Sequence, residues 1–160
     1  MLLNNPGTIE IVRQAKRYAF LLLKFRQRSE QEIRQRLKKK QFPETVIQET
    51  VSFLKDKKFI DDGVFAREWI GSRIKKPMGF RRLREELKRK GIDKEIIDSQ
   101  LEEIKKGYDE KGIVAEVISN KLHSFKGQDA QKAKRRLYAY LLRRGFSPDI
   151  IIEAVNRAGF

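Results

Sequence analysis

Residues 83–92 read LREELKRKGI, and this stretch decides the fold because two similar stretches stand elsewhere in the chain. Residues 33–42 read IRQRLKKKQF, and residues 137–146 read LYAYLLRRGF. In each, apolar residues recur at the spacing of three or four that is typical of one face of an α-helix. The three stretches therefore predict three copies of one helical unit.

The copies agree position by position over seven apolar residues and over the turns between helices. Each apolar position of the first copy recurs fifty residues later, and again fifty-four residues after that. Gly91 and Gly145 stand where a helix would end in a left-handed residue, and Asp93 and Ser147 stand where the next would be capped. Coincidence is a poor explanation of so many matches, so we predict a repeat protein. The seven positions of the first copy are Ile33, Leu37, Phe42, Val46, Ile47, Val51 and Leu54.

The repeats predict an all-α fold, since no stretch of any length has the pattern of a strand. Residues 64–74 and, more weakly, 113–122 add a third helix to the first two copies. Each copy is too small to bury its apolar faces alone, so the tandem three-helix repeats should stack into an elongated curved array. The expected segments are an N-terminal helix over residues 1–27, three-helix repeats over 28–78 and 79–127, and a truncated two-helix repeat over 128–160.

The charge of the chain predicts an anionic partner. It has 37 lysines and arginines against 22 aspartates and glutamates, which gives a formal net charge of +15. Nucleic acid, an anionic membrane and an acidic protein surface all suit such a charge. The longest apolar run, residues 18–23, is too short to span a bilayer, and no secretory signal pattern opens the chain, so we expect no membrane partner. The absence of cysteine excludes disulfides and thiolate metal sites and fits a cytoplasmic protein.

The charges are sorted by helix. The first helix of each predicted repeat is rich in basic residues, whereas the second is predominantly acidic. Stacked repeats would therefore present a basic ridge along one side and an acidic strip along another. The candidate partner- or nucleic-acid-binding residues are Arg34, Lys38, Arg81, Arg82, Arg84, Lys88, Arg89, Lys132, Arg135, Arg136, Arg143 and Arg144.

Two simpler interpretations of the basic residues stay open beside partner binding. Charged side chains commonly solvate helix faces, and for any single cluster this is the better explanation. Basic residues late in a helix are also favoured by its dipole, which accounts for residues 38–40 and 88–90. The dipole does not explain basic residues at or near helix starts, and these are the best candidates for phosphate or acidic-partner contacts. They are Arg81, Arg82, Lys132 and Arg135.

Residues with catalytic or metal-binding chemistry are scarce. The single histidine, His123, has no companion at ligand spacing, and a packed or surface role explains it best. Asp61 or Asp62 is best explained as a helix cap rather than a metal ligand. Tyr138 and Tyr140 stand among arginines and are candidates for stacking on bases. We therefore predict a binding protein rather than an enzyme, with no cofactor and no small-molecule substrate.

Three motifs form a more specific pattern. RSEQEI begins at residue 28, FIDDGVFAREWI covers residues 59–70, and GFRRLREELKRKGI covers residues 79–92. Together they resemble the RecX family of bacterial recombinase regulators, over essentially the whole chain, and that family's fold is a set of tandem three-helix repeats. The chain departs from the family pattern in having Asp61 where members often have Asn, and Gln41 where a helix-ending glycine is expected.

The resemblance implies a function in DNA repair, homologous recombination and the SOS response. It implies a protein that binds RecA recombinase filaments on single-stranded DNA and suppresses their ATP hydrolysis, strand exchange and stimulated repressor cleavage. DNA, single-stranded and in addition double-stranded, is the second expected partner. The alternative is a stand-alone nucleic-acid-binding helical module, which composition alone would favour. The two differ in salt dependence, because binding dominated by phosphates weakens steeply with ionic strength.

Overall fold

The computed structural model describes residues 6–159. The described part contains nine α-helices, a short 3₁₀ helix (His123–Phe125) and no strand, which confirms the all-α prediction. Residues 1–5 and 160, at the outer ends of the predicted segments 1–27 and 128–160, lie outside the described part. The α-helices are α1 (Pro6–Phe25), α2 (Glu30–Lys39), α3 (Glu44–Asp56), α4 (Asp62–Arg73), α5 (Phe80–Arg89), α6 (Lys94–Lys105), α7 (Glu110–Leu122), α8 (Ala130–Arg143) and α9 (Pro148–Arg157).

Serine side chains start two of these helices, as the sequence predicts. The Ser29 hydroxyl accepts from the Glu32 N–H at 3.2 Å, and the Ser29 N–H donates to the Glu32 carboxylate at 3.3 Å. This is a complete capping box at the start of α2. At the start of α9, the Ser147 hydroxyl accepts from the Ile150 N–H at 3.4 Å, and Pro148 occupies the first helical position.

Asp61 and Asp62 cap two different helices, so the choice between them that the sequence left open is resolved in favour of both. Oδ1 of Asp61 accepts from the Gly63 N–H at 2.9 Å and caps α4 itself. Oδ1 of Asp62 accepts from the Glu30 N–H at 2.9 Å, and so satisfies a free donor at the start of α2. Burial raises the pKa of Asp62, and the bond from Glu30 offsets part of that rise.

Glu110 repeats this arrangement one repeat later. Its Oε1 accepts from the Phe80 N–H at 2.7 Å, at the start of α5. Burial again raises the pKa of Glu110 above its ordinary value, and the bond from Phe80 offsets part of the rise. A carboxylate from the following helix therefore caps the first helix in two successive repeats.

The predicted repeat register agrees with burial. Every one of the mapped apolar positions is buried or half-buried in the structure. Fully buried examples from successive copies are Leu37, Leu87 and Leu141, each in the first helix of its copy. The helix-ending glycines also have the predicted left-handed backbone, with φ of +75° at Gly91 and +88° at Gly145.

The chain divides into two compact units. The first comprises Met1–Glu68 with Lys88–Ile96, and the second comprises Trp69–Leu87 with Ile97–Phe160. In the first unit, α1 packs on α2 and α3 around a core that includes Ala15, Ala19 and Leu54. In the second unit, α9 packs on α7 and α8 around a core that includes Phe146 and Ile151. No described helix is both long and apolar enough to cross a membrane.

Candidate partner-binding surface

The candidate surface is built around a junction between the start of α5 and the end of α8, within the second unit. The Gly79 N–H donates to the Arg144 carbonyl at 2.9 Å, and the Arg81 N–H donates to the Gly145 carbonyl at 3.2 Å. N–H groups left free at the start of one helix thereby satisfy carbonyls left free at the end of another. The junction fixes the position of every side chain that projects from these two helix ends.

Glycine is required on both sides of this junction. A Cβ atom at Gly79 would lie 2.2 Å from the carbonyl carbon of Gly145. A Cβ atom at Gly145 would lie 2.3 Å from the Cβ atom of Arg82, in addition to the steric cost of its positive φ. The glycines of GFRR and LLRRGF are therefore there because two backbones touch.

The same kind of junction joins the start of α2 to the end of α5 in the first unit. The Ser29 hydroxyl donates to the Lys90 carbonyl at 2.6 Å, and the Lys90 ammonium pairs with Glu32 at 2.8 Å. A Cβ atom at Gly91 would lie 2.3 Å from the Cβ atom of Gln31. In both junctions, the first helix of one repeat begins against the last turn of the equivalent helix in the next.

The junction in the second unit gathers four of the predicted basic residues, Arg81, Arg82, Arg143 and Arg144, which we call the basic junction. The Arg82 guanidinium donates to the Arg143 carbonyl at 3.1 Å and to Glu86 Oε1 at 3.1 Å, so it is part of the packing. The Arg81 and Arg143 side chains are exposed and form no ion pair within residues 6–159. Arg81 and Arg143 therefore present charge that the fold does not neutralise.

Glu86 holds the inner side of the basic junction. Its Oε2 accepts from Trp69 Nε1 at 3.1 Å and pairs with Arg73 Nε at 2.9 Å, while Oε1 accepts from Arg82. Burial alone would raise the pKa of Glu86, but the bonds from Arg82 and Trp69 and the charge of Arg73 hold its pKa below the ordinary value. Glu86 therefore stays ionised and keeps Arg82 in place.

Three further predicted residues lie on the earlier turns of α8. Asp129 caps the helix by accepting from the Lys132 N–H at 2.8 Å, and the Lys132 side chain is exposed. Arg135 is exposed and has no ion pair in the described part of the chain. Arg136 donates to Gln128 Oε1 at 3.0 Å. These residues extend the charge of the basic junction along α8.

Tyr140 lies between two cations beside the basic junction. The Lys121 ammonium lies 4.3 Å from the centre of its ring, and the Arg144 guanidinium lies 5.4 Å from it. Both distances allow cation–π attraction. The sequence pointed to Tyr140 but not to Lys121, which belongs to α7 and lies at the position equivalent to Arg73 of the preceding repeat. Arg73 stacks in a similar way on Trp69, at 4.4 Å.

Other predicted residues are committed to contacts inside their own repeat or lie away from the basic junction in sequence. Arg34 pairs with Glu30 at 3.0 Å and donates to Gln48 at 2.9 Å. Arg84, its equivalent, pairs with Asp98, which is the equivalent of Gln48. These arginines connect the first helix of a repeat to the second. Exposed positions are occupied by the remaining predicted members, Lys38, Lys88 and Arg89.

Metal or catalytic chemistry has no counterpart here. Within residues 6–159, no three histidine, cysteine, aspartate or glutamate side chains are grouped so that they could hold a metal ion. His123 is exposed, as one of its two expected roles requires. What the surface offers is charge, hydrogen-bond donors and one aromatic ring.

Comparison with known proteins places this architecture in a family. Residues 15–54 match the model of the first three-helix domain of RecX, residues 61–101 match that of the second, and residues 113–155 match that of the third. The chain belongs to the RecX family. The expected family and the tandem three-helix fold are thereby confirmed.

Individual RecX proteins agree. The protein named regulatory protein RecX of Chlorobium phaeobacteroides is 39% identical over 140 residues, covering 87% of this chain and 89% of that protein. That of Chlorobium limicola is 34% identical over 145 residues, covering 90% and 89%. The crystal structure of RecX from Lactobacillus salivarius superimposes with a TM-score of 0.80 at 20% identity, covering 92% of this chain and 96% of that one, which shows the same fold.

The RecX domains group the helices differently from the predicted segments. The RecX division begins its domains in α1, near the start of α4 and in α7, whereas the predicted repeats begin at α2, α5 and α8. The packing of α1 on α2 and α3, and of α9 on α7 and α8, follows the RecX grouping. The repeat period is the same in both divisions, and only the helix that opens each repeat differs.

Proposed function

We propose that this chain is a regulator that binds RecA recombinase filaments on single-stranded DNA in the cytoplasm. It inhibits their ATP hydrolysis, strand exchange and coprotease activity, and it has auxiliary affinity for single- and double-stranded DNA. Support for the regulatory role comes from the RecX family, whose members named above are regulatory proteins. No cofactor or small-molecule substrate is part of this proposal.

One observation carries the DNA-contacting part of the proposal. Arg81 and Arg143 come from different helices and meet at the basic junction without an ion pair in the described chain, and Lys132 and Arg135 continue the charge along α8. Unneutralised cations on a rigid helical support are suited to phosphate oxygens. Tyr140 adds an aromatic ring beside them, on which a base of a single strand could stack.

The test is the ATPase of RecA on single-stranded DNA, titrated with this protein at low and at moderately high salt. Substoichiometric inhibition that persists at the higher salt is expected, because contacts to protein surfaces are less salt-sensitive than contacts to phosphates. Inhibition only at amounts that saturate the DNA, and lost at high salt, would favour the alternative of a stand-alone nucleic-acid-binding module. The net charge of +15 is the observation that favours that alternative.

A charge-reversal variant locates the DNA contact. In Arg81→Glu/Arg135→Glu/Arg143→Glu, no residue that packs the junction through its side chain is changed, so the helix content should stay the same. The slope of log K against log salt for single-stranded DNA should fall by about 3, since each lost phosphate contact removes about 0.9.

The matched control reverses three exposed basic residues elsewhere, in Arg36→Glu/Lys39→Glu/Lys76→Glu. Its net charge equals that of the test variant, so any general effect of charge appears in both. An equal loss of DNA affinity in both variants would mean that only net charge matters and that the basic junction is a solvated surface.

A further inference from the structure

Helix α1 leaves an unusual amount of apolar surface in contact with solvent. Most of the exposed large apolar side chains of the described chain lie on it, including Ile9, Phe20 and Phe25. Phe20 is 36% exposed, and Phe59, which follows α3 and touches Phe20, is 49% exposed. Contiguous apolar surface of this kind commonly marks an interaction site.

Part of this surface is a groove in the first unit, which we call the aromatic groove. It has a volume of about 710 Å³. The apolar residues Ile9, Val12 and Phe20 line it together with the cations Arg13, Lys16 and Arg17, and Glu49 of α3 completes it. The spacing of these α1 residues places them along one face of the helix. The aromatic groove is therefore an apolar channel with a cationic border.

Three phenylalanines continue the groove at one end. The ring centres of Phe20 and Phe59 are 4.8 Å apart, with the ring planes at 89°, and those of Phe20 and Phe53 are 6.3 Å apart at 87°. The Lys16 ammonium lies 4.0 Å from the centre of the Phe53 ring. Edge-to-face packing and the covering ammonium occupy ring faces on which a base would otherwise stack.

The charges around the groove are predominantly positive. Glu49 is its single acidic residue, and Lys16 lies within ion-pair distance of it, at 3.8 Å. Arg17 in the groove and Lys57 and Lys58, which directly precede Phe59, form no ion pair within the described residues. An occupant that pairs with these cations must bring negative charge, and one that covers the phenylalanines must bring apolar side chains.

We propose that the aromatic groove binds an acidic amphipathic peptide segment of a protein partner. The apolar side chains of that segment cover Phe20 and Phe59, and its carboxylates pair with Arg17 and Lys58. This is the helix-in-groove mode of recognition, in which spaced apolar anchors give affinity and charge gives specificity. The inference rests on the proposed function in that the partner is a protein, and it divides the labour between the two units. The aromatic groove contacts protein, and the basic junction contacts DNA.

The groove favours a peptide over a single strand of nucleic acid. A strand needs open ring faces and a row of cations to follow. Here the faces are engaged in edge-to-face packing, and Glu49 opposes a phosphate. A peptide with apolar anchors needs only the depth of the groove and the charge at its border.

The test measures fluorescence anisotropy of a labelled helical peptide of about five turns. It carries leucine at spacings of three and four and glutamate elsewhere. A peptide of the same composition with scrambled order, and labelled oligo(dT), are measured in parallel. The patterned peptide should bind, and the scrambled peptide should bind at least about tenfold more weakly, because only the pattern presents apolar anchors on one face.

Two variants and two matched controls locate the site. Phe59→Ala and Arg17→Glu should each weaken the patterned peptide about tenfold, as truncation of an anchor residue commonly does. Phe25→Ala and Lys24→Glu make the same changes at exposed positions outside the groove and should leave affinity unchanged. Arg17→Glu alters no packed ring, so its loss of binding is not a loss of fold.

Several results would overturn the inference. They are equal binding of the scrambled peptide, no binding of the patterned peptide, or losses in the control variants equal to those in the groove variants. Binding of oligo(dT) that Phe59→Ala and Arg17→Glu abolish, without peptide binding, would assign the groove to nucleic acid. Since no RecA filament is present, failure here leaves the ATPase test of the proposed function unaffected, and the two failures can be told apart.

Discussion

Leu87 is fully buried in α5, and it occupies the same repeat position as Leu37 and Leu141. Leu87→Ala is expected to lower the free energy of unfolding by about 2–5 kcal/mol, because it removes buried methyl groups and leaves a cavity. Urea denaturation followed by far-UV circular dichroism measures this. Leu142→Ala, at a 40% exposed position of α8, should cost less than about 1 kcal/mol. A loss below about 0.5 kcal/mol in Leu87→Ala would contradict the repeat register.

Glu32 makes the stability of the chain depend on acid. It accepts hydrogen bonds from Ser29, Arg26 and Lys90. Burial alone would raise its pKa, but the bonds from Arg26 and Lys90 lower it from 4.5 to about 2. Because the folded pKa is depressed, the carboxylate's stabilising contribution is fully present above about pH 4.5 and is lost as the pH falls toward about 2.

Glu32→Gln should therefore lower stability at neutral pH by about 1–3 kcal/mol, since charge-assisted hydrogen bonds become neutral ones. It should also flatten the pH dependence of the urea midpoint between about 4.5 and 2. Glu10→Gln, which removes an exposed pair with Arg13, should change neither. An unaltered acid limb in Glu32→Gln would show that other carboxylates control acid unfolding.

Among single residues, the sequence predicts those whose partners are near in the chain. The capping box of Ser29 and Glu32 needs only three residues and a known preference, so it could be predicted. The bond from Ser29 to the Lys90 carbonyl joins residues far apart in sequence, and no local pattern reports it. The pairing of Arg84 with Asp98 had a visible signal, because Arg34 and Gln48 repeat the same spacing fifty residues earlier.

At the scale of helices, the contact between α5 and α8 makes Gly145 more sensitive than an ordinary helix-ending glycine. Gly145→Ala is expected to cost roughly 2–4 kcal/mol, because alanine is strained at positive φ and its Cβ atom would strike Arg82. Thermal unfolding followed by circular dichroism tests this.

Gln41 provides the matched control at the equivalent position of the first repeat. It has φ of 61° and is exposed. Gln41→Gly should change stability by no more than about 1 kcal/mol, in the stabilising direction, since it relieves left-handed strain. If Gly145→Ala were as mild as Gln41→Gly, the contact between the two helix ends would not be tight.

Helices could be predicted well because their signals are periodic and local. Nine were expected, in the order one, three, three and two, and nine lie within residues 6–159. Which helix opens a repeat could not be predicted in the same way, because a periodic pattern has no intrinsic starting point. The basic residues were likewise visible as a set, but their division between packing and solvent depends on which helix ends meet.

At the scale of the whole molecule, three helices contribute residues to both compact units. The division falls inside α4, α5 and α6, so neither unit is one continuous segment. We therefore expect one cooperative unfolding transition rather than two. Trp69, the single tryptophan, lies in the second unit, so its fluorescence should give the same urea midpoint as circular dichroism of the whole chain. Separate midpoints would show that the units unfold independently.

Gln41 also has a consequence for how such a chain changes over generations. At residues 91 and 145, selection acts on two backbones at once, and any side chain larger than hydrogen is removed. At residue 41, the end of α2 is exposed, so mutation there is free to drift among residues that tolerate the left-handed backbone. A gene that gained one more repeat ahead of α2 would first have to restore glycine at this codon.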